Sequence, residues 1–137
     1  MIFISESEKE TQDFLKKLDW SRQKASLVYV LEGELGSGKT TFVKGLEEKF
    51  GIKISSPTFN IMKKYKIDFK GFKNLYHFDF YRVNDLKGLN FEEVTSDTEN
   101  LVFIEWGSNV KKYLPSWAKW IYFENLGGNK RKILYED

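Results

Sequence analysis

Two internal stretches are apolar at every position, and most of the remaining chain alternates or repeats with a helical period. Leu27-Val28-Tyr29-Val30-Leu31 and Leu101-Val102-Phe103-Ile104 are the uninterrupted runs. Runs of this length and β-branched, aromatic character suit strands covered on both faces of a sheet. Residues 2–4 read as a further short strand. Ser5 or Ser7 is placed to cap a helix reaching about Trp20, with Phe14, Leu15 and Leu18 on one side. Phe42, Val43, Leu46 and Phe50 repeat at helical spacing, and Gly51 follows where a helix C-terminus favours glycine. Thr58–Lys66 and Leu75–Tyr81 read as an irregular hairpin around Lys70-Gly71. A short helical or irregular stretch is predicted over 84–95, and a helical turn from Ser108 to near Pro115. Strands over 118–124 and 130–135 close the chain around Leu126-Gly127-Gly128-Asn129. The sum is an α/β fold with a mixed β-sheet flanked by helices, in a single small domain over residues 1–137.

Composition narrows the chemistry. With 41% hydrophobic and 17% aromatic residues, 137 residues can build one core. The net charge of +2 selects no partner by itself, so an anionic partner would need a local patch. Absence of cysteine removes disulfides, thiolate catalysis and cysteine-ligated zinc, and a single histidine removes multi-histidine metal sites. The first residues, Met1 to Glu6, lack the basic and long apolar segments of a signal peptide. No apolar run approaches the ~20 residues of a membrane helix. A cytoplasmic protein without membrane attachment is expected.

The sharpest chemical signal follows the first long apolar run. Gly33-Glu34-Leu35-Gly36-Ser37-Gly38-Lys39-Thr40 fits G-x-x-x-x-G-K-[ST], between a predicted strand and a predicted helix. Glycines let backbone N–H groups approach phosphate oxygens, and the helix N-terminus adds a partial positive charge. Lys39 supplies a cation for β- and γ-phosphates, and the Thr40 hydroxyl suits Mg²⁺, which prefers oxygen ligands. A nucleoside triphosphate with Mg²⁺ is the expected ligand.

A phosphate loop also needs an acid to hold magnesium or orient water. Asp79, in His77-Phe78-Asp79-Phe80-Tyr81-Arg82, is one candidate. Alternation sets Leu75, His77, Asp79 and Tyr81 on one face and the aromatic Tyr76, Phe78 and Phe80 on the other. Asp79 is then a Mg²⁺ ligand, direct or through water, or a surface carboxylate. Glu105 ends the second apolar run in the Walker B manner, at the strand end where α/β sheets bind ligands. Its roles are Mg²⁺ binding or water polarisation, against a capping role for the following helical turn. Thr58, in Ser55-Ser56-Pro57-Thr58, sits in either a γ-phosphate-sensing loop or an ordinary turn.

Four weaker features accompany these. His77 reads as a core histidine or a catalytic one. Arg82 is expected to pair with Asp85 or Glu92 or to meet a partner's phosphate. Trp106 fills the core or stacks on a base. Lys63, Lys64, Lys66, Lys70 and Lys73 line the hairpin, as a solvated edge or an RNA contact.

In order, GELGSGKTT at 33–41, SPTF at 56–59, HFDFYR at 77–82, Phe91-Glu92-Glu93 and Ile104-Glu105-Trp106 make the chain resemble the TsaE family. These are the P-loop ATPases of bacterial tRNA threonylcarbamoyladenosine synthesis. The resemblance implies a P-loop NTPase-like fold binding ATP and Mg²⁺. Glu34, Leu35, Gly36, Ser37, Gly38, Lys39, Thr40 and Thr41 would form the nucleotide cradle. It implies Thr40 and Glu105 as Mg²⁺ ligands with Asp79 beside them, and Thr58 as a switch residue. Glu8 and Arg131 fall where the family holds adenine. The implied partners are TsaB and TsaD, with tRNA met indirectly or weakly. Glu34, Val83 and Gly107 depart from the family's commoner Asp, Leu and Pro/Ala/Ser.

Competing functions are poorly supplied. The nearest string to the N-K-x-D guanine motif, Asn129-Lys130-Arg131-Lys132, lacks its Asp, so ATP is expected over GTP. A small-molecule kinase needs lid arginines, and the chain has only Arg22, Arg82 and Arg131. A nucleotide-gated binding module with negligible turnover is the remaining alternative.

Overall fold

The computed structural model describes residues 1–21, 25–34, 36–53 and 61–135. Seven strands form one sheet: β1 (Ile2–Ser5), β2 (Leu27–Glu32), β3 (Met62–Phe69), β4 (Phe72–Asp79), β5 (Asn100–Glu105), β6 (Lys119–Gly127) and β7 (Lys130–Tyr135). Their order is β1-β7-β6-β2-β5-β4-β3. The β4–β5 pair is parallel, whereas β3–β4, β6–β7 and β1–β7 are antiparallel. The expected mixed sheet of an α/β fold is therefore present. The helices are α1 (Glu8–Asp13), α2 (Lys39–Phe50) and α3 (Phe91–Ser96), with 3₁₀ segments at Phe14–Lys17 and Gly107–Tyr113. No helix among the described residues is long and apolar enough to cross a membrane.

The chain gathers into two compact units, residues 1–19, 31–56 and 120–137, and residues 20–30 and 57–119. In the first, Ser7 caps α1 by accepting a hydrogen bond from the Glu10 N–H at 3.1 Å. The helix is shorter than its apolar spacing predicts. It tightens at Phe14 into a 3₁₀ turn whose Leu18 N–H reaches the Leu15 carbonyl, and Leu18 is already extended. A 3₁₀ turn aligns residues i and i+3, so Leu15 and Leu18 can both be buried. Phe14 packs against Phe3, Phe42 and Tyr135 with ring centroids 5.5, 6.5 and 6.1 Å away. Burying each such aromatic side chain stabilises the fold by about 1.5–3 kcal/mol. As expected, α2 ends at Phe50, and Gly51 follows in the left-handed conformation.

In the second unit Tyr29 stacks on Phe103 at 5.7 Å, and Trp20 meets both rings edge-on. Phe91 of α3 packs edge-on against Phe78 and Phe80 at 5.1 and 5.9 Å. The β3–β4 hairpin turns at Lys70-Gly71, with φ values of 50° and 87°. Its expected irregularity is a register shift between Lys66 and Phe69. The described part of β3 starts at Met62, and Thr58 lies outside the described residues. One expectation changes. Leu75 and His77 are buried along with Phe78 and Phe80, so β4 is covered on both faces instead of exposing a polar face. It lies between β5 and β3, away from the sheet edge.

Candidate functional site

The phosphate loop leaves β2 at Glu32 and enters α2 at Lys39. Two of its glycines are required, Gly33 by what surrounds it and Gly38 by its left-handed backbone. A Cβ on Gly33, at φ 153°, would lie 2.5 Å from the Phe123 carbonyl oxygen and 2.5 Å from Ser37 Oγ. Gly38 has φ 115°, and a Cβ there would meet the Arg131 stem at 3.4 and 3.5 Å. Gly38 is the N-cap of α2 and offers no side chain to cap it. A helix N-terminus that opens from a glycine loop favours an anion.

Inside the loop, Ser37 and Lys39 are buried at 2% and 5% exposure, while Thr40 is exposed. Ser37 Oγ has no hydrogen-bond partner among the described residues. Glu34 and Gly36 are exposed and Thr41 is half-buried; Leu35 lies outside the described residues. The Ser37 N–H closes the turn on the Glu34 carbonyl at 3.0 Å.

The β6–β7 hairpin buttresses this loop through residues that local pattern could not reveal. Asn125 donates its amide to the Gly36 carbonyl at 3.2 Å. Arg131 Nη1 donates to Asn125 Oδ1 at 3.1 Å, to the Gly128 carbonyl at 2.7 Å and to the Lys130 carbonyl at 2.9 Å. Arg131 thus sits beside the loop, its stem along Gly38. Asn125 carried no sequence signal, being 89 residues from its loop partner. Glu8 opens α1 and is exposed.

The acidic candidates belong to the second unit. Asp79 and Glu105 are the last residues of the parallel strands β4 and β5 and are register partners. His77, two residues before Asp79, shares its face. Its Nε2 lies 2.7 Å from Glu105 Oε2, with the side chains 3% and 15% exposed. Glu105 is therefore held by a histidine, and the helical turn beginning at Gly107 has no side-chain cap. Asp79 Oδ1 accepts the Tyr81 N–H at 3.0 Å.

Arg82 does not pair with Asp85 or Glu92 as expected. Its guanidinium lies 5.8 Å from the Tyr81 ring centre. Asp85 instead accepts the Lys87 N–H at 3.0 Å and the Tyr113 hydroxyl at 3.2 Å. The Lys87 hydrogen bond, aided by Tyr113, holds its carboxyl below the usual aspartate range. Trp106 is half-buried, its ring 4.9 Å from that of Tyr81.

These donors suit a magnesium nucleotide. The glycine cradle and buried Ser37 hydroxyl match a polyphosphate that touches backbone at close range. Among the described residues no three or more His, Cys, Asp or Glu side chains gather as a self-sufficient cation cage.

Comparison with known proteins accords with this chemistry. The family model for "Threonylcarbamoyl adenosine biosynthesis protein TsaE" matches residues 5–133. The tRNA threonylcarbamoyladenosine biosynthesis protein TsaE of Bacillus subtilis is 36% identical over 124 residues, covering 88% of this chain and 76% of the relative. The protein of the same name from Borreliella burgdorferi is 39% identical over 119 residues, covering 84% of each. A crystal structure of Bacillus subtilis YdiB superposes with a TM-score of 0.72 at 29% identity, over 98% of this chain and 83% of that one. The fold is P-loop NTPase-like, and the chain belongs to the TsaE family of threonylcarbamoyladenosine biosynthesis proteins.

Proposed function

We propose that this chain is a Mg²⁺-dependent ATPase of tRNA N6-threonylcarbamoyladenosine modification, at the adenosine 3′ to the anticodon. It acts in the cytoplasm as one ATPase domain with the TsaB–TsaD complex, and meets tRNA indirectly or weakly. The observation that carries the ATPase reading is the phosphate loop, where Gly33 admits no side chain, Gly38 holds a left-handed φ of 115°, and Ser37 and Lys39 are buried. Family membership supplies the pathway.

Residue roles follow from the chemistry. The N–H groups from Gly36 to Thr41 orient the phosphates, and Lys39 neutralises the charge that develops on the γ-phosphate. Thr40 and Glu105 would hold Mg²⁺, with Asp79 joining them directly or through water. Magnesium, when bound, would neutralise charge on the phosphates. Glu105 and Asp79 orient the water that attacks the γ-phosphorus in line; its new P–O bond replaces the one to the β–γ bridging oxygen, and ADP and inorganic phosphate are released. Thr58 senses the γ-phosphate, Glu34, Leu35 and Thr41 complete the cradle, and Glu8 and Arg131 border the adenine.

The pathway is tested by counting modified adenosines in tRNA from cells depleted of this protein. Wild-type chain should restore the modification and Lys39→Ala should not. Normal modification in depleted cells would refute the assignment.

A further inference from the structure

The imidazole of His77 does more than fill space. It is 2% exposed, and its Nδ1 is buried with no hydrogen-bond partner among the described residues. Burying a polar atom without a partner is unfavourable, so an apolar side chain would pack this position more cheaply. What the imidazole adds is the 2.7 Å hydrogen bond from Nε2 to Glu105 Oε2. An ionised carboxylate only accepts, so the proton of this hydrogen bond sits on Nε2.

The strand register makes the contact possible. His77 pairs with Phe103 and Asp79 with Glu105, so His77 reaches Glu105 diagonally across the parallel β4–β5 pair. Glutamate has three side-chain torsions and would otherwise sample many positions at a strand end. Anchoring Oε2 removes that freedom and leaves Oε1 without a hydrogen bond among the described residues.

We propose that His77 is the positioning residue of the metal site, orienting Glu105 so that its carboxylate meets Mg²⁺ or the attacking water with little reorganisation. The inference rests on the reading of Glu105 as a metal ligand. Loss of a partner that orients a metal ligand typically weakens metal binding by about 10- to 100-fold.

The test has two arms. His77 is the only histidine in the chain, so ¹⁵N NMR of the imidazole reports its tautomer without ambiguity. The Nε2–H form is expected, and the Nδ1–H form would overturn the proposal; this arm uses the unaltered protein. The second arm titrates Mn²⁺ by electron paramagnetic resonance in the presence of a non-hydrolysable ATP analogue, with folding of each variant checked by thermal melting. His77→Leu should weaken Mn²⁺ binding about 10- to 100-fold, while His77→Gln, whose amide N–H replaces the Nε2 donor, should recover most of it. Weak binding in Glu105→Ala with unchanged binding in His77→Leu would overturn the role of His77 alone. Unchanged binding in Glu105→Ala would overturn the metal reading beneath it.

Discussion

Arg131 lies along Gly38: its Cγ and Cδ are 3.4 and 3.5 Å from where a Cβ on that glycine would stand. The same arginine holds Asn125, and Asn125 holds the Gly36 carbonyl. Two points of the phosphate loop are thus braced by one hairpin. Asn125→Ala removes a hydrogen bond of about 0.5–1.5 kcal/mol, corresponding to roughly 2- to 12-fold weaker ATP binding. Fluorescent-nucleotide titration checks this, and an unchanged dissociation constant would show that the loop holds its shape unaided.

Lys39 and Glu105 should fail differently. Lys39→Ala removes the buried cation of the phosphate cradle and should abolish nucleotide binding. Glu105→Ala should spare binding more than turnover, because its carboxylate serves the metal and the water more than the phosphates. Equal losses of affinity and rate in Glu105→Ala would contradict the role assigned to it.

Gly107 is packed too tightly to carry a side chain. A Cβ there would lie 2.5 Å from Val30 Cγ1 and 3.5 Å from Ile104 Cγ2. Valine is stiff about χ1 and gives way poorly. Gly107→Ala should destabilise the protein by about 1–3 kcal/mol in urea unfolding. Adding Val30→Ala should relieve the clash, so the double variant should lose less stability than the two single losses summed.

Asp85 gives a pH dependence with a definite sign. Its folded-state pKa is lowered, chiefly by the Lys87 N–H and further by Tyr113. Such a group contributes its stabilisation fully above the unfolded aspartate pKa and loses it as pH falls through the lower folded value. Carboxyl NMR should therefore place its titration midpoint on the acid side of an ordinary aspartate. A midpoint at or above the ordinary value would contradict the two hydrogen bonds.

Local chemistry made much of the architecture readable. The uninterrupted runs at 27–31 and 101–104 became β2 and β5, covered on both faces. The period of Phe42, Val43 and Leu46 marked α2, and Lys70-Gly71 marked the hairpin turn. The glycine spacing from 33 to 38 was legible because crowding at Gly33 and left-handed backbone at Gly36 and Gly38 both favour glycine. What stayed hidden depends on register between distant segments. The His77–Glu105 contact spans 28 residues and that of Asn125 with Gly36 spans 89. Alternation alone assigned His77 to a polar face, because it cannot tell an edge strand from one covered on both sides. The helical period of Phe14, Leu15 and Leu18 likewise could not separate a continued α-helix from a 3₁₀ turn, which also brings apolar residues to one side.

The most direct test is ATP hydrolysis by the purified protein, measured alone and then with TsaB, TsaD and tRNA. The account predicts weak turnover alone and clear stimulation in the complete mixture, with Lys39→Ala inactive in both. Full activity alone that the partners leave unchanged would keep the phosphate loop and contradict the pathway role.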